Sequence, residues 1–155
     1  IYIQGSRVLL QSNFTHSILN NDIFINPSFF SNEAKNKFNM LRIPFLSRLI
    51  GLKKNQNIQR TRGCNFSIHK DDIIHVNGFN EEIITWGRED SEFVQRLFNI
   101  GVKKQQLKFS GIQYHLFHNE RSHNSVNDDF LDTAIVNKIN WCNNGIDKYL
   151  KCNEV

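Results

Sequence analysis

The apolar residues of this chain fall into short runs of unequal period. Residues 1–10 (I-Y-I-Q-G-S-R-V-L-L) are β-rich and read as a strand broken by Gly5. Residues 11–30 are polar and Asn-rich around Pro27 and read as a loop with room for one short helix. Residues 33–50 mix helix formers with apolar positions, which predicts two short helices interrupted at Pro44. The stretch 51–60 (G-L-K-K-N-Q-N-I-Q-R) is polar and basic and reads as a linker, a candidate mobile loop. From Thr61 the signals sharpen. Residues 63–69 predict a strand, and residues 70–76 a short helix opened by Asp71 and Asp72. Asn77-Gly78 is a turn signal, with Phe79 behind it as a core anchor. Residues 89–100 predict a helix: Glu89, Asp90 and Glu92 fill its first turn, Phe93, Val94, Leu97 and Phe98 recur at helical spacing, and Gly101 supplies the stop. Residues 102–109 and 111–115 predict strands and residues 130–141 a helix. The class is mixed α/β, without internal repeats.

Composition narrows the picture. At 155 residues, 39% hydrophobic and 22% charged, the chain suffices for one soluble domain with a core. Thirteen Phe predict that this core is aromatic-heavy. No apolar run approaches the ~20 residues that span a bilayer, and no secretory leader is visible. The chain opens on a strand with no initiator Met, which predicts a natural start upstream. Three cysteines without a C-x-x-C argue against a disulfide framework and a thiolate zinc site, and fit a reducing compartment. The expected setting is the cytoplasm, including the inner face of the membrane. The sequons at Asn13 and Asn65 then read as chance matches.

The net charge of +4 is unevenly spread: residues 1–62 carry nine Lys and Arg against two acids, residues 63–155 ten against thirteen. The basic front could face phosphates or an anionic membrane surface, or be simply a solvated face. Peripheral membrane association therefore stays open, whereas no nucleic-acid-binding signature accompanies the charge, and nucleic acid is not an expected partner.

Candidate chemistry sits in three segments: G-C-N-F-S at 63–67, N-G-F-N-E-E-I-I-T-W-G-R-E-D at 77–90 and Y-H-L-F-H at 114–118. Acids at the start of a helix are a routine N-terminal signal, and the helix dipole keeps them ionised. An ionised carboxylate in reach of a hydroxyl is also a general base, worth ~10²–10⁴-fold in rate. A Gly at a strand end permits close approach of backbone to a ligand, or serves packing alone. Two histidines three apart are commonly surface or core residues. To share one ion they require the chain to turn after His115, because residues three apart on a straight strand face opposite sides.

In order and spacing these segments resemble the C-terminal catalytic segment of β-1,4-galactosyltransferases, polypeptide N-acetylgalactosaminyltransferases and bacterial chondroitin-polymerase-type enzymes. The resemblance covers roughly residues 1–121 and is strongest over 63–118. It implies the acceptor-binding, catalytic half of a GT-A fold, a mixed sheet with flanking helices that is incomplete without its N-terminal nucleotide-binding half. Residues 122–155 would form a C-terminal helical extension. The D-x-D metal motif that ends the first half in those enzymes is absent here; Asp71-Asp72 and Asp128-Asp129 are adjacent acids.

By the same resemblance Asp90 would be the catalytic base, Glu89 would hold sugar hydroxyls, and Trp86, on a loop with Gly87 and Arg88, would cover the substrate. Gly63 and Asn65 would lie beside the donor sugar. His118 and His115 would complete a divalent metal site shared with the missing D-x-D. The galactosyltransferases among them carry M-x-x-H here, so His115 is a harder first ligand that suits Mn²⁺ and tolerates Mg²⁺ or Co²⁺; His123 is a third candidate. The implied activity is inverting transfer of a hexose from a UDP-sugar to a carbohydrate hydroxyl, in bacterial surface-polysaccharide synthesis. The alternative is a non-catalytic carbohydrate-binding or structural domain derived from the same fold.

Overall fold

The structure, a computed structural model, describes residues 1–22, 24, 26–51, 53–59, 61–119 and 125–150. Its strands are β1 (Tyr2–Leu10), β2 (Ala34–Lys35), β3 (Lys54–Asn55), β4 (Phe66–Ser67) and β5 (Lys104–His115). They form one mixed sheet in the order β2-β1-β5-β3, with β4 also pairing β1. β1 and β5 run parallel, and every other pairing is antiparallel. β1 passes straight through Gly5, and its alternation buries Tyr2, Gln4, Ser6, Val8 and Leu10. β5 spans both strands expected at 102–115. The break between them is a bulge: Gly5 pairs Leu107 but Ser6 pairs Ile112, so residues 108–111 loop out, with Phe109 at φ 63°.

The helices are α1 (Ser12–Asn21), α2 (Pro44–Gly51), α3 (Lys70–His75), α4 (Glu89–Asn99), α5 (Asp128–Val136) and α6 (Asp147–Leu150). Pro44 opens α2 rather than interrupting a helix, as its missing N–H and fixed φ favour. The first helix expected in 33–50 is a single 3-10 turn, Lys37–Met40. α5 begins two residues before its expected start and stops at Val136, where Asn137 caps it and Lys138 turns left-handed at φ 50°. Residues 53–59 of the linker-like stretch are tied to the body. Gln56 Nε2 donates to the Phe98 and Val102 carbonyls, and Lys104 Nζ to those of Asn57 and Gln59.

The main core joins Tyr2 of β1 to Val76 and to Phe93, Val94, Leu97 and Phe98 of α4. A smaller cluster under β1 holds Val8, Leu10 and Ala34 against Phe14 and Ile18 of α1. The core is aromatic only in part: Tyr2, Phe93 and Phe98 are buried in it, but most Phe lie outside it, and Phe30, Phe38 and Phe45 are 93%, 72% and 75% exposed. Residues 24–49 carry short elements on which no second layer is laid among the described residues. Phe79 is likewise 40% exposed, stacked on Phe93 with ring centroids 4.4 Å apart.

A polar hub joins the last described residues to this core. Asn77, fully buried at φ 62°, donates to the Cys142 carbonyl and to Asp147, and accepts from the Asp147 N–H. Beside it the buried Arg96–Glu92 pair (2.7 Å) donates through the guanidinium to the Val76 and Gly78 carbonyls. Cys64 and Cys142 are free thiols, and Cys152 lies outside the described residues. No helix among the described residues is long and apolar enough to cross a membrane.

Candidate active site

Because β1 and β5 are parallel, their carboxyl ends emerge together, the edge at which open α/β sheets commonly hold ligands. A cleft of about 1110 Å³ opens there. Gly63, Trp86, Gly87, Arg88, Glu89, Asp90, His115 and His118 all line it, although they come from three segments far apart in the chain. Asn65 does not. Its side-chain amide donates to the Ser6 and Gly111 carbonyls, and its own carbonyl accepts from the Gly5 N–H, so it staples β4 to β1 and the β5 bulge. Both amide hydrogens are thus used within the fold, away from the cleft in which a donor-sugar contact was expected.

Asp90 stands in the first turn of α4, half-buried, and accepts the Gly63 N–H at 2.5 Å. A Cβ on Gly63 would overlap this carboxylate, so the close approach that requires glycine is to Asp90. Burial pushes the Asp90 pKa above the ordinary carboxylate range; the Gly63 bond opposes this, the neighbouring Glu89 adds to it, and Arg62 opposes it. For Asp90 desolvation is the largest influence and sets the direction of the shift.

The loop before α4 has an unusual backbone. Gly87 lies at φ 109° and Arg88 at φ 72°, two consecutive left-handed residues that reverse the chain into the helix. Glu89 accepts the Gly87 N–H at 2.8 Å. Arg88 pairs with Asp128 at 2.5 Å, and the buried Asn127 donates to the Thr85 and Gly87 carbonyls. The start of α5 is therefore a clamp on the W-G-R-E-D loop. Sequence reasoning missed it; the only available signal was the N-D-D run at 127–129, which reads equally as an ordinary helix start. Trp86 is 46% exposed at the cleft.

His115 ends β5, and the chain then turns so that His118 returns to it, the two Nε2 atoms 3.0 Å apart. The buried hydroxyl of Thr15 in α1 fixes this turn by accepting the Phe117 N–H at 2.9 Å. His118 Nδ1–H donates to the Asn119 carbonyl, which orients the ring with Nε2 towards His115. Burial, then the charges of Arg7 and His118, hold the His115 pKa below its ordinary value and favour neutral imidazole. Two imidazole nitrogens on one tetrahedral zinc lie about 3.3 Å apart, so this pair fits adjacent positions on one divalent ion. Among the described residues no cluster of three or more His, Cys, Asp or Glu completes such a site, and His123 lies outside them. Arg7, Lys35, Arg62 and Arg88 make the cleft wall predominantly cationic around the two acids.

Residues 46–119, which carry every residue assigned above to the cleft's two acids, Trp loop and histidine pair, match the family model described as the N-terminal domain of galactosyltransferase. The match supports a galactosyltransferase-like glycosyltransferase domain over that segment. No curated protein and no solved structure matches the chain.

Proposed function

We propose that this chain is the acceptor-binding and catalytic half of an inverting glycosyltransferase of GT-A type. It would transfer a hexose from a UDP-sugar to a carbohydrate hydroxyl, in the synthesis of a bacterial surface polysaccharide. The observation that carries the reading is the convergence of a half-buried Asp90, Glu89, Trp86 and the paired imidazoles of His115 and His118 on one cationic cleft.

In this reading the acceptor hydroxyl lies against Asp90. Its oxygen forms the new bond to the anomeric carbon as the bond to the diphosphate breaks, and its proton passes to the Asp90 carboxylate. A pKa raised by burial makes that carboxylate the better proton acceptor. Glu89, tied to the loop by Gly87, receives hydrogen bonds from sugar hydroxyls, and Trp86 offers a flat apolar face to the ring. Arg7, Lys35, Arg62 and Arg88 attract the anionic donor. His115 and His118 would hold a divalent ion, Mn²⁺ or Mg²⁺, whose role is to neutralise charge on the departing diphosphate. The remaining ligands and the nucleoside contacts would come from the N-terminal nucleotide-binding half. The exposed Phe30, Phe38 and Phe45 are the apolar surface suited to packing against it.

In a transfer assay on the full-length protein, Asp90→Asn is expected to lower kcat by at least ~10² with donor binding nearly unchanged. Turnover near wild type would remove Asp90 from the role. Tight UDP-sugar binding by residues 1–155 alone, measured by calorimetry, would overturn the split between halves.

A further inference from the structure

The segment that clamps the W-G-R-E-D loop also lines a second concavity, of about 390 Å³, outside the cleft. Its apolar surface comes from Phe130, Ile139 and Trp141, set over the buried Ala134 and Cys142. Its polar groups are the amides of Asn80 and Asn143, the Thr133 hydroxyl and the exposed carboxylates of Glu82 and Asp129. A third carboxylate in the wall, Glu92, is already paired with the buried Arg96. No Lys, Arg or His among the described residues lines it. This is the reverse of the cleft, where four cations face two acids.

That combination selects a ligand class. A pyranose presents a C–H face that stacks on an indole and a rim of hydroxyls that bond amides and carboxylates. Phosphate, sulfate and uronate groups would meet two carboxylates with no compensating cation. A simple amine would answer to the carboxylates but leave the amides, the hydroxyl and the Trp141 face unused. We propose that this pocket is a saccharide subsite that holds an uncharged sugar unit of the acceptor chain, away from the unit that reacts. The inference rests on the glycosyltransferase reading, which makes a saccharide the substrate. Through Asn127, whose amide holds the Thr85 and Gly87 carbonyls, the occupied pocket adjoins the loop carrying Trp86.

The two tryptophans report the two concavities separately. On the ¹⁵N-labelled chain the Trp141 indole N–H signal is followed during titration with cellotetraose, chitotetraose, a chondroitin tetrasaccharide and butylamine. A neutral tetrasaccharide is expected to move it, with the anionic one and the amine leaving it in place. Trp141→Ala should weaken the tetrasaccharide Kd roughly tenfold or more, the scale for truncating an aromatic anchor. Thr133→Arg, which fills the pocket from an exposed helical position, should do the same in a chain whose spectrum stays folded. Trp86→Ala should leave the Trp141 response intact. If no neutral tetrasaccharide moves the Trp141 signal, if only the Trp86 signal moves, or if the amine alone binds, the subsite is overturned. The transfer reading is tested separately by Asp90→Asn, so the two can fail independently.

Discussion

The cleft and the smaller pocket are linked through residues 126–130, where Asn127 and Asp128 bond to the Trp86 loop and Val126, Asp129 and Phe130 line the pocket, yet they are built from opposite chemistry. The cleft joins cations, two acids and two imidazoles on strained loops at a sheet edge. The pocket sets exposed carboxylates and amides over an apolar floor supplied by α5 and the loop that follows it. The contrast teaches that charge sorting can be local even where net charge is small. A +4 chain can present one surface that attracts anions and another that repels them.

The two regions share a scaffold, and the largest expected effect comes from breaking it. Arg96→Leu leaves Glu92 buried without its partner and the Val76 and Gly78 carbonyls without a donor. Urea unfolding should show a loss of about 3–5 kcal/mol. A smaller loss would mean that Glu92 is open to water through the pocket. Next comes His118→Ala, which should raise the Mn²⁺ concentration for half-maximal activity of the full-length protein by roughly 10–100-fold. The Trp141 saccharide response should not move; an unchanged activation curve would return the pair to the ordinary surface histidines of the sequence.

Asn127→Ala should act on both regions, because two carbonyls of the Trp86 loop lose their buried donor. At about 1–3 kcal/mol for such a loss, kcat/KM should fall between a few-fold and a hundredfold, with little change in metal activation. The acid limb of kcat should lie above the ordinary carboxylate range. Asp90 must be ionised to accept a proton, and burial raises its pKa. A limb at or below the normal aspartate value would assign it to another group.

The smallest effect has the opposite sign. The raised Asp90 pKa means that the folded chain holds this proton more tightly than the unfolded one. Stability from this group therefore grows as pH falls through the folded pKa, and the ionised form is a cost at alkaline pH. Asp90→Asn should accordingly raise Tm at pH 8 while slowing transfer, and the gap should close on acidification. A lower Tm at pH 8 would show that the Gly63 bond outweighs the burial of charge.

What was legible in the sequence follows from how local each signal is. The helix at 89–99 was readable because its acids, apolar spacing and stop all lie within the element. The meeting of Gly63, Asp90 and the His pair in one cleft follows the motif order, each motif being a few contiguous residues. The two-residue strands β2 and β3 carry no periodicity of their own and exist only through their partners, and of the strand read at 63–69 only Phe66–Ser67 pairs, with β1. Asn65, Asn77 and Asn127 look alike in a chain rich in Asn. Long-range bonds alone make one a staple, one a hub and one a clamp. Phe30, Phe38 and Phe45 were misread for a related reason: hydrophobicity marks a residue as buriable, and whether a second layer exists to bury it is a property of the assembly.

The parallel pairing of β1 with β5 bears on how the protein is made. Tyr2 pairs with Lys104, so β1 leaves the ribosome about a hundred residues ahead of its central neighbour. At ~5–20 residues per second of synthesis, that interval is roughly 5–20 s. During it β1 lacks its main partner while the Phe-bearing stretch at 29–45 is already out. A nascent chain in that condition is a client for holding chaperones, and its yield should depend more on their supply and on translation speed than on the stability of the finished fold.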